Sequence, residues 1–397
     1  MEPTARSIFN KNFTQERYDR FLNDITEQFG HRPPFRIAET PVFIDLELKA
    51  KIFDACNVIT KRIMRPDFKE MTQGAVRPEF FVPGETPHST FLQYDFGICE
   101  ENGKLIPKLI EIQGFPTLYF YQDLVAKKYR EHFTIGDNYA HLAKGLTTDA
   151  YKEMLKRIIV ADHDPKNVVL LEVEPEKQAT QIDFLCTSRE LGVKTICVSK
   201  LKTSGKDVYY LDDNGQKVQV HRIYNRVIFD ELIGRKDLQR DFQFNHEYNV
   251  EWAGHPHWFF RISKYALPLF DNPFVPKTYF LDQLETIPED LENYVLKPLY
   301  SFSGSGVIFN VQPEHITSIS DPSNFILQRK VSYSPVVQAL DEKIKCEIRM
   351  LLIWEQDTEQ PIIVNNLARL SRGAMIGVKY NKDKDWVGGS VAFFEQE

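Results

Sequence analysis

Apolar residues recur at helical spacing near the start of the chain. One face of a helix with 3.6 residues per turn would carry Tyr18, Phe21, Leu22, Ile25 and Phe29. A second pattern of the same period runs over residues 46–63. We therefore predict a helical N-terminal segment over residues 1–88 that packs on the rest of the protein.

After residue 88 the pattern changes from helical to strand-like. Residues 90–98 and 105–112 read as two strands. Asn102-Gly103 between them is typical of a tight hairpin turn. A helical stretch follows over about residues 118–132, so residues 89–156 are predicted to form a hairpin plus a helix.

The middle of the chain, residues 157–257, alternates between strands and helix. Residues 167–173 and 194–198 read as strands, and between them residues 177–191 read as a helix that Gly192 closes. Residues 208–211 and 218–223 predict a hairpin around Asp213-Asn-Gly215. This βαβ subdomain lacks G-x-G-x-x-G after its first strand, which argues against a dinucleotide site.

The last segment, residues 258–397, opens with a predicted helix over residues 258–267 that Pro268 should end. Apolar runs at 362–370, 375–380 and 386–394 then predict strands of a mixed sheet. The whole pattern indicates an α+β or α/β fold.

A lysine-ended strand and a Ser/Gly loop stand out in this last segment. Lys297 ends the strand that begins at Tyr294, and the loop contains Ser303-Gly304-Ser305-Gly306. A lysine reaches phosphate oxygens, and glycines let backbone N–H groups approach them, so the pattern is typical of a nucleoside triphosphate site. The alternative is an ordinary hairpin with a Gly-rich turn. An apolar strand ending in Gln328 follows.

Three oxygen donors lie on the predicted hairpin. Asp95 is on its first strand, and Glu111 and Gln113 are at alternate positions of the second, so these two side chains share a face. If Asp95 faces them, the three oxygens form a magnesium site suited to a nucleotide's phosphates. The alternative is that all three lie on the solvent face of an amphipathic hairpin.

Charge and cysteine content narrow the class of protein. The chain has 49 Lys and Arg against 56 Asp and Glu, a net charge of -7, and a dedicated nucleic-acid binder would need a basic face. The five cysteines are scattered with no C-x-x-C pair, which fits reduced thiols. The sequence has no apolar leader and no apolar run of about 18 residues. We expect a cytoplasmic protein with neither nucleic acid nor a membrane as partner.

Seven short motifs follow one another along the chain. They are Tyr94-Asp-Phe, Leu109-Ile-Glu-Ile-Gln-Gly-Phe-Pro-Thr117, Val173-Glu-Pro-Glu176, Ile223-Tyr224, Ile262-Ser-Lys-Tyr-Ala-Leu-Pro268, Tyr294-Val-Leu-Lys-Pro298 with Gly304 and Gly306, and Ile326-Leu-Gln328. Their order resembles that of the glutathionylspermidine synthetase family, whose catalytic unit is a circularly permuted ATP-grasp domain. The resemblance spans about residues 90–395.

The resemblance implies a Mg-ATP-dependent ligase. It assigns Asp95, Glu111 and Gln113 to magnesium, with Gln in place of the family's Asn, and Lys264 and Lys297 to the phosphates of ATP. It further implies that the Ser301–Ser305 loop closes over the triphosphate and that Gln328 lies near the adenine. In such a reaction a substrate carboxylate becomes an acyl phosphate, and an amine then displaces phosphate.

One departure from the family bears on activity. The family has an arginine two residues before the metal-binding Asp, and this chain has Gln93 there. Other arginines that could stabilise an acyl phosphate are Arg349, Arg369 and Arg372. Two alternatives therefore stay open, a nucleotide-binding protein without ligase activity and a kinase-like phosphotransferase on the same scaffold. The acidic stretch 174–176 could attract an amine, or it could cap the following helix.

Overall fold

The computed structural model of the chain describes residues 1–143, 145–300, 305–373, 376 and 381–397. The α-helices of the described part are α1 (Pro3–Asn12), α2 (Gln15–Phe29), α3 (Leu46–Ile63), α4 (Phe68–Met71), α5 (Tyr119–His132), α6 (Thr148–Ile159), α7 (Gln181–Leu191), α8 (Phe229–Gly234), α9 (His257–Arg261) and α10 (Pro313–Thr317). Short 3₁₀ helices occupy Gln73–Ala75, Pro78–Phe80, Pro165–Asn167, Pro175–Lys177, Val198–Lys200, Lys264–Leu269, Leu281–Gln283, Leu291–Asn293 and Pro322–Asn324. In this part of the chain no helix has the length and apolar character needed to cross a membrane.

The strands of the described part belong to several sheets. They are β1 (Val42–Ile44), β2 (Phe91–Glu101), β3 (Lys104–Gln113), β4 (Tyr139–Ala140), β5 (Val168–Glu172), β6 (Lys194–Cys197), β7 (Lys202–Ser204), β8 (Asp207–Leu211), β9 (Lys217–Val220), β10 (Arg222–Asn225), β11 (Glu251–Ala253), β12 (Thr278–Phe280), β13 (Tyr294–Pro298), β14 (Phe325–Arg329), β15 (Pro335–Gln338), β16 (Lys343–Ile353), β17 (Ile362–Ser371), β18 (Gly388–Ser390) and β19 (Ala392–Glu395).

The predicted N-terminal helices are confirmed by α2 and α3. Helix α2 buries Tyr18, Phe21 and Ile25, because these positions recur on one face. The Thr14 side chain accepts a hydrogen bond from the Arg17 N–H at its start, and Gly30 ends it in the left-handed region with φ 61°. The face joins the main core, which also contains most of the central sheet.

The central sheet has the order β18-β17-β16-β2-β3, and β15 pairs with β16. All of these pairings are antiparallel. The predicted hairpin is confirmed as β2 and β3, and Asn102 and Gly103 take positive φ angles of 53° and 73° in its turn. Helix α5 follows as expected, and its first N–H groups donate to the Asp183 carboxylate of α7.

The predicted βαβ unit is confirmed by β5, α7 and β6, within a parallel sheet of order β11-β10-β5-β6. The helix begins at Gln181 instead of residue 177, because Pro175–Lys177 forms a separate 3₁₀ turn. The predicted strand 218–223 was wrong as one element. It divides near His221 into β9, which pairs with β8, and β10, which pairs with β5.

The small sheet consists of β12, β14 and β13 in that order, and it confirms the predicted strands around Lys297 and Gln328. The predicted helix 258–267 was wrong as one helix. It divides at Ser263, which is extended with φ −148° and whose hydroxyl accepts from the Tyr265 N–H. Pro268 lies inside the following 3₁₀ helix instead of ending an α-helix.

A further sheet of order β1-β19-β4 pairs a strand from the N-terminal part of the chain with the last strand. Val42 on β1 pairs in parallel with Ala392 on β19. The predicted strand 386–394 is therefore divided between β18 of the central sheet and β19 of this one. The predicted strand 375–380 falls outside the described residues, except for Ile376.

Candidate functional site

The small sheet meets the central sheet at Lys297. This side chain is 9% exposed, and its Nζ donates to Gln328 Oε1 on β14 at 2.5 Å. The same Nζ donates to the backbone carbonyl of Ile110 on β3 at 3.2 Å. Lys297 therefore lies where the Ser/Gly loop leaves the small sheet and where the oxygen donors of the hairpin begin.

Lys264, the first residue of the 3₁₀ helix Lys264–Leu269, lies in the same region as Lys297. The Gly114 N–H, in the loop after β3, donates to the Ile262 carbonyl at 2.7 Å. A Cβ atom on Gly114 would lie 2.2 Å from the Trp258 carbonyl oxygen, so only glycine permits this approach. The contact draws residues 262–264 against the end of β3 and buries Lys264 to 7% exposure.

Burial lowers the pKa of both lysines. That of Lys297 falls to about 8, chiefly through burial and with a smaller contribution from the positive charge of Lys264. Glu111 opposes the shift at both ammonium groups, and Asp230 also does so at Lys264. A bound phosphate, like Glu111, would raise the pKa of both lysines and so favour their charged forms. The site therefore favours an anionic ligand.

A row of polar residues crosses the central sheet. In the register of the strands, Asp95 lies opposite Glu111 on one side and Arg349 on the other. Arg349 Nε and Nη2 donate to the two oxygens of Asp95 at 2.5 and 2.6 Å, and Arg369 Nη2 adds a third bond at 2.5 Å. Burial raises the pKa of Asp95, but the two guanidinium groups outweigh it and hold this pKa below its usual value.

Gln93 holds the remaining end of Arg349. Its Oε1 accepts from Arg349 Nη1 at 3.1 Å, and its Nε2 donates to the Thr117 carbonyl at 3.0 Å. Gln93 is fully buried and lies opposite Gln113 in the hairpin. The guanidinium group of Arg349 therefore lies beside Gln93. It belongs to β16, whereas an arginine at position 93 itself would belong to β2.

Glu347 completes this buried network, and the sequence interpretation missed it. Its Oε1 forms an ion pair with Arg369 Nη2 at 2.7 Å, and its Oε2 accepts from the Tyr333 hydroxyl at 2.9 Å. Burial and the neighbouring Asp95 raise the pKa of Glu347, and Arg369 opposes them. A signal existed, because Glu347 is two residues before Arg349 and so shares its face of the strand.

The predicted metal ligands differ in their surroundings. Both oxygens of Asp95 already accept guanidinium N–H groups. Glu111 and Gln113 are half-buried, and within the described residues neither is hydrogen-bonded to an arginine. A carboxylate and an amide oxygen suit Mg²⁺, which needs only one or two protein ligands when phosphates supply others. Glu111 and Gln113 therefore suit Mg²⁺ as ligands, and Asp95 lies opposite Glu111 in the sheet.

The described part of the chain contains one cluster of three His and carboxylate residues that are spaced like metal ligands, and it lies elsewhere. It consists of Asp24, Glu131 and His132. Lys128 donates to both carboxylates at 2.9 Å, so an ammonium group already compensates their charge.

Other residues named from the sequence lie outside this network or outside the described part. Arg372 pairs with Asp341 and Glu342, both at 2.7 Å, which are exposed. Gly306 has φ 71°, and a Cβ there would lie 3.1 Å from Pro298, whereas Ser303 and Gly304 fall outside the described residues.

Two more acidic side chains near the parallel sheet have different surroundings. Glu174 forms ion pairs with Lys177 at 2.6 Å and with Arg235 at 2.5 Å, so it is compensated locally. Asp230, which the sequence interpretation missed, has a buried Oδ2 with no hydrogen-bond partner in the described structure. Burial raises its pKa, and the charge of Lys264 opposes the rise.

The fold is a mixed α/β fold of the kind seen in a glutathione synthetase-like protein. One similar solved structure is a glutathione synthetase-like effector (GSS30) from Globodera pallida in its apo form, with a TM-score of 0.58 and 13% sequence identity. The match covers 96% of this chain and 97% of that one. No family model and no curated protein matches the sequence. At this identity the similarity establishes the fold alone.

Proposed function

We propose that the protein is a Mg-ATP-dependent ligase of the circularly permuted ATP-grasp type that joins a small carboxylate to an amine through an acyl phosphate. The observation that carries the proposal is the position of Lys297. It bonds Gln328 of the small sheet and Ile110 of the hairpin, so one buried cation links the two halves of the site.

The residues present fit a nucleotide. Gln328 is 2% exposed, and its Nε2 has no hydrogen-bond partner in the described structure, while its Oε1 accepts from Lys297. A buried amide N–H without an acceptor is unfavourable, and a ring nitrogen of adenine would satisfy it. Lys297 and Lys264 supply the charge that a triphosphate needs.

Magnesium, when bound by Glu111 and Gln113, would neutralise phosphate oxygens and orient them. In the first step a substrate carboxylate oxygen attacks the γ-phosphorus, and ADP leaves. Lys297 and Lys264 hold the phosphates in line for this attack, which is mostly a matter of position and charge. Arg369 and Arg349, fixed by Asp95, face the negative charge that develops on the transferred group.

In the second step the amine nitrogen attacks the acyl carbon, inorganic phosphate leaves, and the nitrogen releases a proton. No protein nucleophile is needed. Gln93 contributes by holding Arg349 Nη1 and by bonding Thr117 in the loop that follows β3.

Hydroxylamine tests the proposal without knowledge of the natural amine, because it converts any acyl phosphate to a stable hydroxamate. The protein is incubated with ATP, Mg²⁺, hydroxylamine and panels of amino acids and short peptides as carboxylates. We expect hydroxamate and ADP in equal amounts with at least one carboxylate, and neither product from Lys297→Ala. Lys277→Ala is the matched control, because Lys277 is an exposed lysine next to β12. Stable phosphate on a substrate with no hydroxamate would instead indicate a kinase-like phosphotransferase.

A nucleotide-binding protein without ligase activity is the second candidate. The hydrogen bonds around Asp95 favour this candidate. Gln93 stands where the resembling family has an arginine, and Arg349 already donates two hydrogen bonds to Asp95. For such a protein we expect ATP to raise the unfolding temperature, and we expect no ADP release with any combination of carboxylate and amine.

A further inference from the structure

The linker after β14 crosses the central sheet at Gly97. The Ser334 N–H donates to the Ile98 carbonyl at 3.0 Å, which fixes the linker along β2. A Cβ atom on Gly97 would lie 2.8 Å from the ring of Tyr333 and 3.1 Å from Val331. The aromatic ring therefore packs directly on bare backbone, two residues from Asp95 along β2 and on the same face.

The hydroxyl of the half-buried Tyr333 differs in its partner from those of the buried Tyr119 and Tyr129. Tyr119 and Tyr129 donate to backbone carbonyls, whereas Tyr333 donates to the Glu347 carboxylate at 2.9 Å. The other oxygen of Glu347 forms an ion pair with Arg369 Nη2, and that same nitrogen donates to Asp95. A chain of hydrogen bonds and ion pairs thus extends from the linker to Asp95, the carboxylate that holds Arg369.

These contacts engage the guanidinium group of Arg369 only in part. Nη2 is shared between two carboxylates that repel each other, so its position depends on both being held in place. Nε of Arg369 is buried and has no hydrogen-bond partner in the described structure. A donor held in this way suits an anionic group in the site.

We propose that Tyr333 is a positioning residue that fixes Glu347 and, through it, the orientation of Arg369 toward the transferred phosphate. This inference rests on the proposed function for its kinetic consequence, but its structural content can be measured independently.

The variant Tyr333→Phe removes only the hydroxyl. Tyr294→Phe is the matched control, because the Tyr294 hydroxyl accepts from Arg329 at 3.3 Å within the small sheet. The first readout is the ¹⁵N-arginine side-chain NMR spectrum, with the Arg369 Nε–Hε signal assigned by its loss in Arg369→Lys. We expect this signal to shift or broaden in Tyr333→Phe and in Glu347→Gln, and to stay unchanged in Tyr294→Phe.

The second readout is ATP turnover with a carboxylate that gives hydroxamate. We expect Tyr333→Phe to lower kcat by about tenfold and to change KM for ATP by less than about twofold. The double variant Tyr333→Phe/Glu347→Gln should be no slower than the slower single variant. An Arg369 signal that stays at its wild-type position in Tyr333→Phe would overturn the proposal. If the wild type has no turnover, the proposed function fails, and the NMR signal alone still decides the role of Tyr333.

Discussion

Lys297 on β13 donates a hydrogen bond to the backbone carbonyl of Ile110 on β3, next to Glu111 in the chain. The contact joins a small sheet to a hairpin that lies far upstream in the sequence. Because Gln328 accepts from the same ammonium group, the lysine is held by both halves of the site.

Glu111→Gln should weaken Mg²⁺ binding. Of the two predicted ligand carboxylates, Glu111 is the one that no arginine bonds, and Gln removes its negative charge. We expect the Mg²⁺ concentration for half-maximal ATP binding to rise by about tenfold. Calorimetric titration of ATP at several Mg²⁺ concentrations measures it. Glu101→Gln at the hairpin turn, where Glu101 pairs with Lys108, is the control. Identical Mg²⁺ dependence in both variants would exclude Glu111 as a ligand.

ATP binding should weaken as pH rises through about 8, because Lys297 then loses its proton. A phosphate ligand favours the ammonium form, so binding takes up a proton above this pH. Titrations between about pH 6.5 and 9.5 in buffers of different ionisation enthalpy measure both effects. Lys297→Arg should abolish the dependence, since its guanidinium stays charged. Proton uptake that persists in Lys297→Arg would assign the effect to another group.

The unliganded protein should gain stability over the same pH range. The pKa of Lys297 is depressed in the folded state, so the unfolded chain binds more protons above about pH 8. The free energy of unfolding therefore increases as pH rises from about 8 toward the ordinary lysine value. Urea unfolding of the wild type and of Lys297→Met at several pH values measures this increase. If the free energy of unfolding changes with pH equally in the two proteins, Lys297 is not the group responsible.

Asp95→Asn should destabilise the fold even without metal or nucleotide. It leaves the buried Arg349 and the half-buried Arg369 beside a neutral amide, and loss of one partner of a buried ion pair costs about 3–5 kcal/mol. Urea unfolding in the presence of a chelator gives the value. Asp67→Asn, which breaks exposed pairs with Arg65 and Arg62, should change stability far less. Wild-type stability of Asp95→Asn would mean that Asp95 has no structural role.

Gly114→Ala should displace the segment that carries Lys264, because the added Cβ meets the Trp258 carbonyl oxygen. We expect a loss of about 1–3 kcal/mol in unfolding free energy together with weaker ATP binding. Gly234→Ala, where no heavy atom lies within 4 Å of the added Cβ, is the control. Unchanged ATP affinity in Gly114→Ala would show that this approach does not position Lys264.

The sequence predicts those parts of the fold that local chemistry determines. Asn102-Gly103 specifies its own turn, and the patterns on both sides specify the two strands. A bulge between Asp95 and Phe96, which the turn does not specify, shifts the register so that Asp95 lies opposite Glu111. The face of α2 is equally readable from its spacing. These elements depend on neighbours that are close in the chain, so pattern and structure agree.

Long-range contacts account for what the sequence did not predict. Arg349 and Arg369 reach Asp95 across the whole chain, and nothing local to either arginine marks its partner. The break at Ser263 arises because Gly114 draws Ile262 out of helical geometry. The pairing of Val42 with Ala392 likewise depends on the finished fold. The roles of the site residues stay predictions that the experiments above test.

A thermal-shift titration with Mg-ATP tests the proposed nucleotide site on the wild type, Lys297→Ala, Glu111→Ala and the control Lys277→Ala. We expect saturating Mg-ATP to raise the unfolding temperature of the wild type and of Lys277→Ala, because a ligand that binds only the folded state stabilises it. Lys297→Ala and Glu111→Ala should show little or no rise. Equal stabilisation of all four proteins would contradict the proposed nucleotide site.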